Sequence, residues 1–329
     1  ALTQLIKTAD VIIEDWLPSK SKSLHLDFKT VQGINPKLLY CAMPPFGESG
    51  PLSDIPADDG IVSTIAGIHG DQGGKNFPPM YVKIPFVSYG TAFLSSFAIT
   101  TALFERESSN MGQKIEVPLY FGAIGMRPQY TIVTTNDSSL YSQSPTITSN
   151  SHQIRNPVYG LYECSDGWIF VAAGNEVFWG KFCSAIKMPE LAKDKRFFGA
   201  PWNIPPENQA PLHEIIKPIL KAKNKSYWLN ELSDADVPSA PASDRSEFLS
   251  HPQVIHNQIL VENNNPQINA THQFGIPIKM SKTPGEIGKP IGIKSKDTWE
   301  ILTALKFSKS QLIDMAQDKI IPQENSKES

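Results

Sequence analysis

The chain has 329 residues, 40% of them hydrophobic and 19% charged, which is enough to bury one large core or two modest ones and excludes a disordered or fibrous protein. Thirty Lys and Arg against 33 Asp and Glu leave a net charge of -3 with the signs interspersed, so the basic stripe of a nucleic-acid binder is missing. Cys41, Cys164 and Cys183 are odd in number and far apart, which gives neither a disulfide framework nor a C-x-x-C site and points to reduced, cytoplasmic chemistry.

In chain order, residues 2–9 read as the tail of a helix, and with no Met or signal pattern at Ala1 a segment is expected upstream. Residues 9–14 and 37–43 are short apolar runs of the kind that form buried parallel strands, with a helical connection over residues 24–33. Pro44, Pro45, Gly47, Gly50, Pro51 and Pro56 force an irregular loop. Residues 59–69 resume a helical pattern, with Ile61, Ile65 and Ile68 as its apolar face, and residues 70–75 end it as a flexible loop. Residues 81–87 read as a strand, residues 89–107 as an apolar helix buried on most sides, and residues 114–119 as another strand. The best membrane candidate, the run from Phe93 to Phe104, is broken by Ser95, Ser96, Thr100 and Thr101, so no membrane span is expected.

Residues 131–156 are rich in Ser, Thr, Asn and Gln and read as a linker. A hairpin over residues 160–164 and 168–172, turning at Ser165-Asp166-Gly167, opens a second unit whose helices fall near 176–186, 212–222 and 226–232. Residues 263–269 read as polar linker, and 299–305 and 308–317 as closing helices, the second with a Ser308-x-x-Gln311 capping box. The expected organisation is an α/β protein: a large domain over 1–130, a linker over 131–156, a small α+β domain over 157–262, a returning segment over 263–322 and a disordered tail over 323–329.

Several motifs along this path resemble the family III CoA-transferases, the type that includes formyl-CoA and carnitine-CoA transferases and α-methylacyl-CoA racemases. Ala9-Asp10-Val11-Ile12-Ile13-Glu14-Asp15-Trp16-x-Pro18 is similar to the family's A-D-V-x-x-E-N-F-x-P-G, and Ile34-Asn35-Pro36-Lys37-Leu38-Leu39-Tyr40 to its I-N-P-R-L-I-Y. Phe46-Gly47-x-Ser49-Gly50-Pro51, Ala102-Leu103 to Gly112-Gln113, Tyr159-Gly160-x-Tyr162, Asp166-Gly167-Trp168-Ile169 and Pro252-Gln253-Val254 extend the match through nearly the whole chain. The resemblance implies a Rossmann-like large domain built from both ends of the chain, a smaller domain between them, and two chains interlocked as a dimer. It also implies acyl-CoA and a carboxylic acid as substrates, with no tightly bound cofactor.

In transferring members an aspartate carboxylate attacks the thioester to give a mixed anhydride that CoA thiolate reopens, a cycle that suits a carboxylate because it leaves again easily. Counting back from Gly112-Gln113 places Ser88 at that position, and from Gln72 to Phe104 there is no Asp or Glu. A serine hydroxyl needs a base to attack and its alkoxide leaves poorly, which favours hydrolysis or a dead end. The plainer reading makes Ser88 the N-cap of a helix starting at residue 89 or 90. Racemases use a His in G-H-D; here Ala57-Asp58-Asp59 puts Asp58 at the His position, and Asp59 matches an acidic position flanking the transferase site. Asp58 and Asp59 read equally as solvated helix caps.

The resemblance assigns CoA contact to Asp15, Trp16 and Leu17. The family's Asn is Asp15, the Gly after its Pro is Ser19 and a further Arg falls on Ser23, with Lys20 and Lys22 near enough to compensate. Residues 70–75 lack P-loop spacing, and no His stands in H-x-x-x-H or H-E-x-x-H spacing, so no metal site is expected; His69 could serve as a base. Three readings stay open: a CoA-transferase-like enzyme with racemase or thioesterase variants, a silent subunit paired with an Asp-bearing paralogue, and a CoA-binding or decayed homologue.

Overall fold

The computed structural model describes residues 1–73, 78–126, 156–265, 269–288 and 295–323. The chain divides into two compact units, Ala1–His152 with Glu300–Asp314, and Gln153–Trp299 with Met315–Ser329. The expected linker falls almost wholly outside the described residues, as does most of the expected tail.

In the first unit, α1 (Leu2–Thr8) leads into β1 (Val11–Glu14), followed by α2 (Pro18–Ser23), α3 (Phe28–Ile34) and β2 (Leu39–Ala42). Then come α4 (Asp59–Ile65), α5 (Ile68–Gly73), α6 (Phe86–Ser109), β3 (Lys114–Glu116) and α7 (Leu119–Gly125). The three strands form one parallel sheet in the order β1-β2-β3, with Val11 opposite Leu39 and Tyr40 opposite Lys114. The centre strand is buried at all four positions, and its period of two sends Tyr40 and Ala42 into one apolar cluster and Leu39 and Cys41 into another. An apolar run without alternation is what a strand covered on both faces requires.

The motif residues knit this sheet together. Asn35 donates its amide to the carbonyls of Ile6 at 2.9 Å and Ala9 at 3.1 Å, joining α1 to the end of α3. From the last turn of α6, Arg106 donates to the Asp10 carboxylate at 2.8 Å and the Lys37 carbonyl at 3.1 Å. A Cβ on Gly112 would collide with the Leu38 backbone, so only glycine lets the turn into β3 lie against β2.

Several local expectations are corrected. The helix expected over 24–33 starts only at Phe28, because Asp27 caps α3 by accepting from the Thr30 N–H at 3.3 Å, and Pro18 opens a further helix, α2, ahead of that span. The helix over 59–69 breaks at Gly67, whose φ of +78° no longer fits a helix, and the loop reading of 70–73 gives way to α5. Of the isoleucine stripe, Ile68 is buried in the core beside Val62, while Ile61 and Ile65 face outward and Val62 and Ser63 are the buried residues of α4. Residues 81–85 form no strand, and α6 begins at Phe86 with Pro85 at its N-cap. Nor is α6 buried on most sides: Phe93, Phe97 and Phe104 are 67%, 75% and 81% exposed. Among the described residues it is the helix long and apolar enough to cross a membrane by length and composition.

The second unit carries β4 (Tyr159–Cys164) and β5 (Gly167–Ala172), then α8 (Glu176–Ala185), α9 (Pro206–Lys221), α10 (Lys225–Asp234) and β6 (Ser239–Pro241). The hairpin pairs as its turn residues predict, with Tyr162 opposite Ile169, and β6 adds antiparallel to β5. One core gathers Tyr162, Ile169, Val171, Phe182, Leu212, Ile216, Trp228 and Leu232. Asn175 and Asn224 cap α8 and α10. After α11 (Arg245–Leu249) and α12 (Pro252–His256), residues expected as polar linker pair instead as an antiparallel hairpin, β7 (Leu260–Asn265) with β8 (Asn269–Phe274). Helices α13 (Thr298–Ala304) and α14 (Lys309–Gln317) follow, most of each belonging to the first unit. The capping box at Ser308 and Gln311 forms in both directions, at 2.8 and 3.3 Å.

Candidate active site

Asp58, Asp59 and Ser88 come together at the N-terminal ends of α4 and α6. Asp58 is the N-cap of α4, its carboxylate accepting from the Ile61 N–H at 3.0 Å. That cap turns the next side chain, half-buried Asp59, toward α6. Asp59 Oδ2 accepts from the backbone N–H of Ser88 at 2.6 Å, and Asp59 Oδ1 accepts from the Ser63 hydroxyl at 3.1 Å.

The first N–H groups of any helix lack an intrahelical partner. Pro85, at the N-cap of α6, offers no side-chain oxygen, so the carboxylate of Asp59 does the capping from another helix, where its charge also suits the positive end of the helix dipole. The N-cap role read for Ser88 is therefore overturned: Ser88 is the third residue of α6, and its backbone is capped rather than its side chain capping. Its half-buried Oγ makes no hydrogen bond among the described residues.

Glycine fixes where this turn lies. A Cβ on Gly90 would come within 2.6 Å of the Gly122 carbonyl oxygen, and one on Gly122 within 2.6 Å of the Val87 carbonyl oxygen. α6 and α7 therefore cross backbone to backbone at Val87 and Gly90, on either side of Ser88.

The second group of candidates follows β1. Glu14, 8% exposed, turns back on the chain after it, its Oε2 accepting from the Trp16 N–H at 2.7 Å and its Oε1 from the Tyr40 hydroxyl at 3.1 Å. The Tyr40 hydroxyl also lies 2.9 Å from the Leu26 carbonyl. Burial raises the Glu14 carboxyl above its usual range, and burial with the neighbouring Glu14 charge raises the Tyr40 phenol. Glu14 thereby fixes the path of Asp15-Trp16-Leu17. Asp15 is exposed, Trp16 is half-buried against the cluster of Ile6, Leu26 and Val31, and Leu17 is the N-cap of α2.

The next turn is tied down by Asp54, which accepts from the Ser19 N–H at 3.0 Å; hydrogen bonds from Ser19 hold its carboxyl below the usual range. Lys20, Lys22 and Ser23 lie exposed on α2. No hydrogen bond or ion pair among the described residues joins Asp15, Trp16 or Leu17 to the Asp59–Ser88 pair.

His69 is nearly buried, its Nδ1 2.9 Å from the Thr64 hydroxyl and its ring edge-on to Tyr81 at 5.2 Å, while its Nε2 has no partner among the described residues. The three thiols are buried, and burial raises each, Cys183 to about 12, which leaves them poor nucleophiles. No group of three His, Cys, Asp or Glu that could hold a metal occurs among the described residues.

Ser63, Glu14 and Asp54 are the positioning residues that sequence reading passed over. The i, i+4 spacing of Asp59 and Ser63 was a usable signal. Nothing local announces the partners of Glu14 or Asp54.

The chemistry open to this arrangement is narrow. Asp58 caps α4 through one oxygen and both oxygens of Asp59 are engaged, and among the described residues no base hydrogen-bonds the Ser88 hydroxyl.

Comparison with known proteins matches residues 1–291 to the family described as CoA-transferase family III. The acetyl-CoA:oxalate CoA-transferase of Acetobacter aceti is 27% identical over 280 residues, 84% of this chain and 69% of that protein. The succinate–glutarate CoA-transferase of Agrobacterium fabrum is 27% identical over 289 residues, covering 87% and 70%. Among solved structures, a CaiB/BaiF family protein from Brucella suis superposes with a TM-score of 0.74 at 24% identity, over 92% of this chain and 77% of that one. Rv3272 of Mycobacterium tuberculosis superposes with a TM-score of 0.72 at 21% identity, over 88% and 75%.

Proposed function

The chain belongs to CoA-transferase family III, and from that premise we propose that it moves CoA between an acyl-CoA and a carboxylic acid with Ser88 standing where the family's nucleophilic aspartate stands. The observation that carries this reading is the hydrogen bond from the Ser88 N–H to Asp59, because it holds the first turn of the helix at the nucleophile position although the nucleophile itself is changed. Asp59 is then a positioning residue rather than an acid, and Asp58, a committed helix cap at the racemase His position, argues against proton shuttling. CoA is a substrate, contacted by Asp15, Trp16 and Leu17 on the path set by Glu14.

The relatives' names suggest the acid: oxalate and glutarate are dicarboxylates. In the same reading the parallel sheet is the core of a Rossmann-like large domain built from the beginning and end of the chain, a small domain lies between them in sequence, and two chains interlock as a dimer in the cytoplasm. The Ser88 hydroxyl, unpartnered among the described residues, favours one second reading, a silent subunit whose Asp-bearing paralogue does the chemistry.

The test is exchange of CoA from acetyl-CoA or succinyl-CoA to oxalate or glutarate, followed by chromatography of the thioesters. Formation of the new thioester by this chain alone supports transfer. Formation only after an Asp-bearing paralogue is added supports the subunit reading, and failure to bind either thioester overturns both.

A further inference from the structure

We propose that transfer by this chain forms no covalent enzyme intermediate: the carboxylate of the acceptor acid, seated beside Ser88, attacks the acyl-CoA thioester itself. The inference rests on the CoA-transfer reading above and names the nucleophile that reading lacks. No Asp or Glu occurs from Gln72 to Phe104, so α6 brings no carboxylate of its own to the site. Of the two carboxylates at this turn, exposed Asp58 caps its own helix through one oxygen, accepting from the Ile61 N–H at 3.0 Å, while both oxygens of Asp59 are engaged, by the Ser88 N–H at 2.6 Å and the Ser63 hydroxyl at 3.1 Å. Pulling Asp59 away to attack would uncap α6 and strand the buried Ser63 hydroxyl. Among the described residues no base contacts the Ser88 hydroxyl to activate it, and an ester on it would not return CoA readily.

What the hydroxyl can do is donate. Ser88 Oγ is half-buried and unpartnered among the described residues, and it is a shorter side chain than the aspartate it replaces, so a bound carboxylate can take the vacated place and accept its hydrogen bond.

The reaction balances without any enzyme group. An oxygen of the acceptor carboxylate bonds to the acyl carbon, the C–S bond breaks and its electron pair leaves on CoA thiolate. The product is a mixed anhydride of the two acids. The thiolate then attacks the acceptor's own carbonyl carbon, a new C–S bond forms, the C–O bond to the donor acyl group's bridging oxygen breaks, and the donor acid leaves as a carboxylate. That carboxylate carries one oxygen from the acceptor. An enzyme carboxylate would instead supply this oxygen in the first cycle.

The experiment is a single turnover with the chain in excess over succinyl-CoA, using glutarate labelled with 18O in its carboxylates, and mass analysis of the succinate released as glutaryl-CoA forms. Succinate bearing one 18O is expected from the wild type, and unlabelled succinate from Ser88→Asp in its first cycle. Unlabelled succinate from a wild type that makes glutaryl-CoA overturns the proposal, since a group on the protein must have intervened. A silent wild type beside an active Ser88→Asp also overturns it while leaving the CoA-transfer scaffold standing. Silence of both removes the proposal together with the reading beneath it.

Discussion

Replacing Asp59 tests whether a carboxylate from one helix holds the start of another. Asp59→Ala removes the acceptor of the Ser88 N–H at 2.6 Å and of the Ser63 hydroxyl at 3.1 Å. A hydrogen bond to a charged group contributes about 1.5–3 kcal/mol, and a carboxylate at a helix N-terminus about 0.3–1 kcal/mol. Ser63 is 2% exposed, so water does not replace its lost partner. Allowing for the half-exposed setting of Asp59, the expected cost is about 2–3 kcal/mol. Asp59→Asn keeps one oxygen for the Ser88 N–H, and its amide can donate to the Ser63 hydroxyl, so it is expected to cost about 1 kcal/mol, the part due to charge. Denaturant unfolding gives the totals, and hydrogen exchange of the peptide carrying the start of α6 locates them. A cost of 2 kcal/mol speeds exchange there roughly 30-fold if opening is local. Costs below about 0.5 kcal/mol for both variants, with unchanged exchange at residues 86–90, would refute the capping argument.

The buried Glu14 gives a pH prediction of unusual sign. Its native carboxyl titrates above the ordinary 4.5, so the folded chain holds a proton that the unfolded chain releases, and stability falls as pH rises through that window. Glu14→Gln can accept from the Trp16 N–H and donate to the Tyr40 oxygen, so its unfolding free energy is expected to lack this fall; parallel curves for the two proteins would contradict the assignment. Gly90→Ala forces α6 off Gly122 and is expected to cost about 1–3 kcal/mol by chemical denaturation, a neutral result being the contrary one. In the second unit, burial lowers the titration of His213, which stacks on Tyr162 at 5.1 Å. Native His213 resists protonation, so stability is lost as pH falls below 6.5, and His213→Phe, which keeps the stack, is expected to remove that acid-side loss from the unfolding profile.

Much of the first unit was legible because burial leaves a mark on composition. A strand covered on both faces must be apolar throughout, and Leu39-Tyr40-Cys41-Ala42 is. The β4–β5 hairpin was legible from its turn residues, and the capping box at Ser308 from its spacing. The start of α6 was not, since Pro85 sits at the N-cap and the acceptor that replaces a local cap stands 29 residues earlier in the chain. Ile61 and Ile65 were misjudged because periodicity finds an apolar stripe without saying whether anything covers it. The β7–β8 hairpin was read as linker because Asn-rich strands lack the alternation that marks a half-buried sheet. At the candidate site, motif position located Asp58, Asp59 and Ser88, but the division of labour among them came from hydrogen bonds that no spacing encodes.

A Ser88 that does not act as a nucleophile carries no acyl or CoA adduct during turnover. Intact-protein mass spectrometry of the chain mixed with succinyl-CoA and glutarate, sampled while glutaryl-CoA accumulates, is expected to show the wild type at its unmodified mass and an adduct only on Ser88→Asp. A succinyl or CoA adduct mapped to Ser88 of the wild type would contradict it.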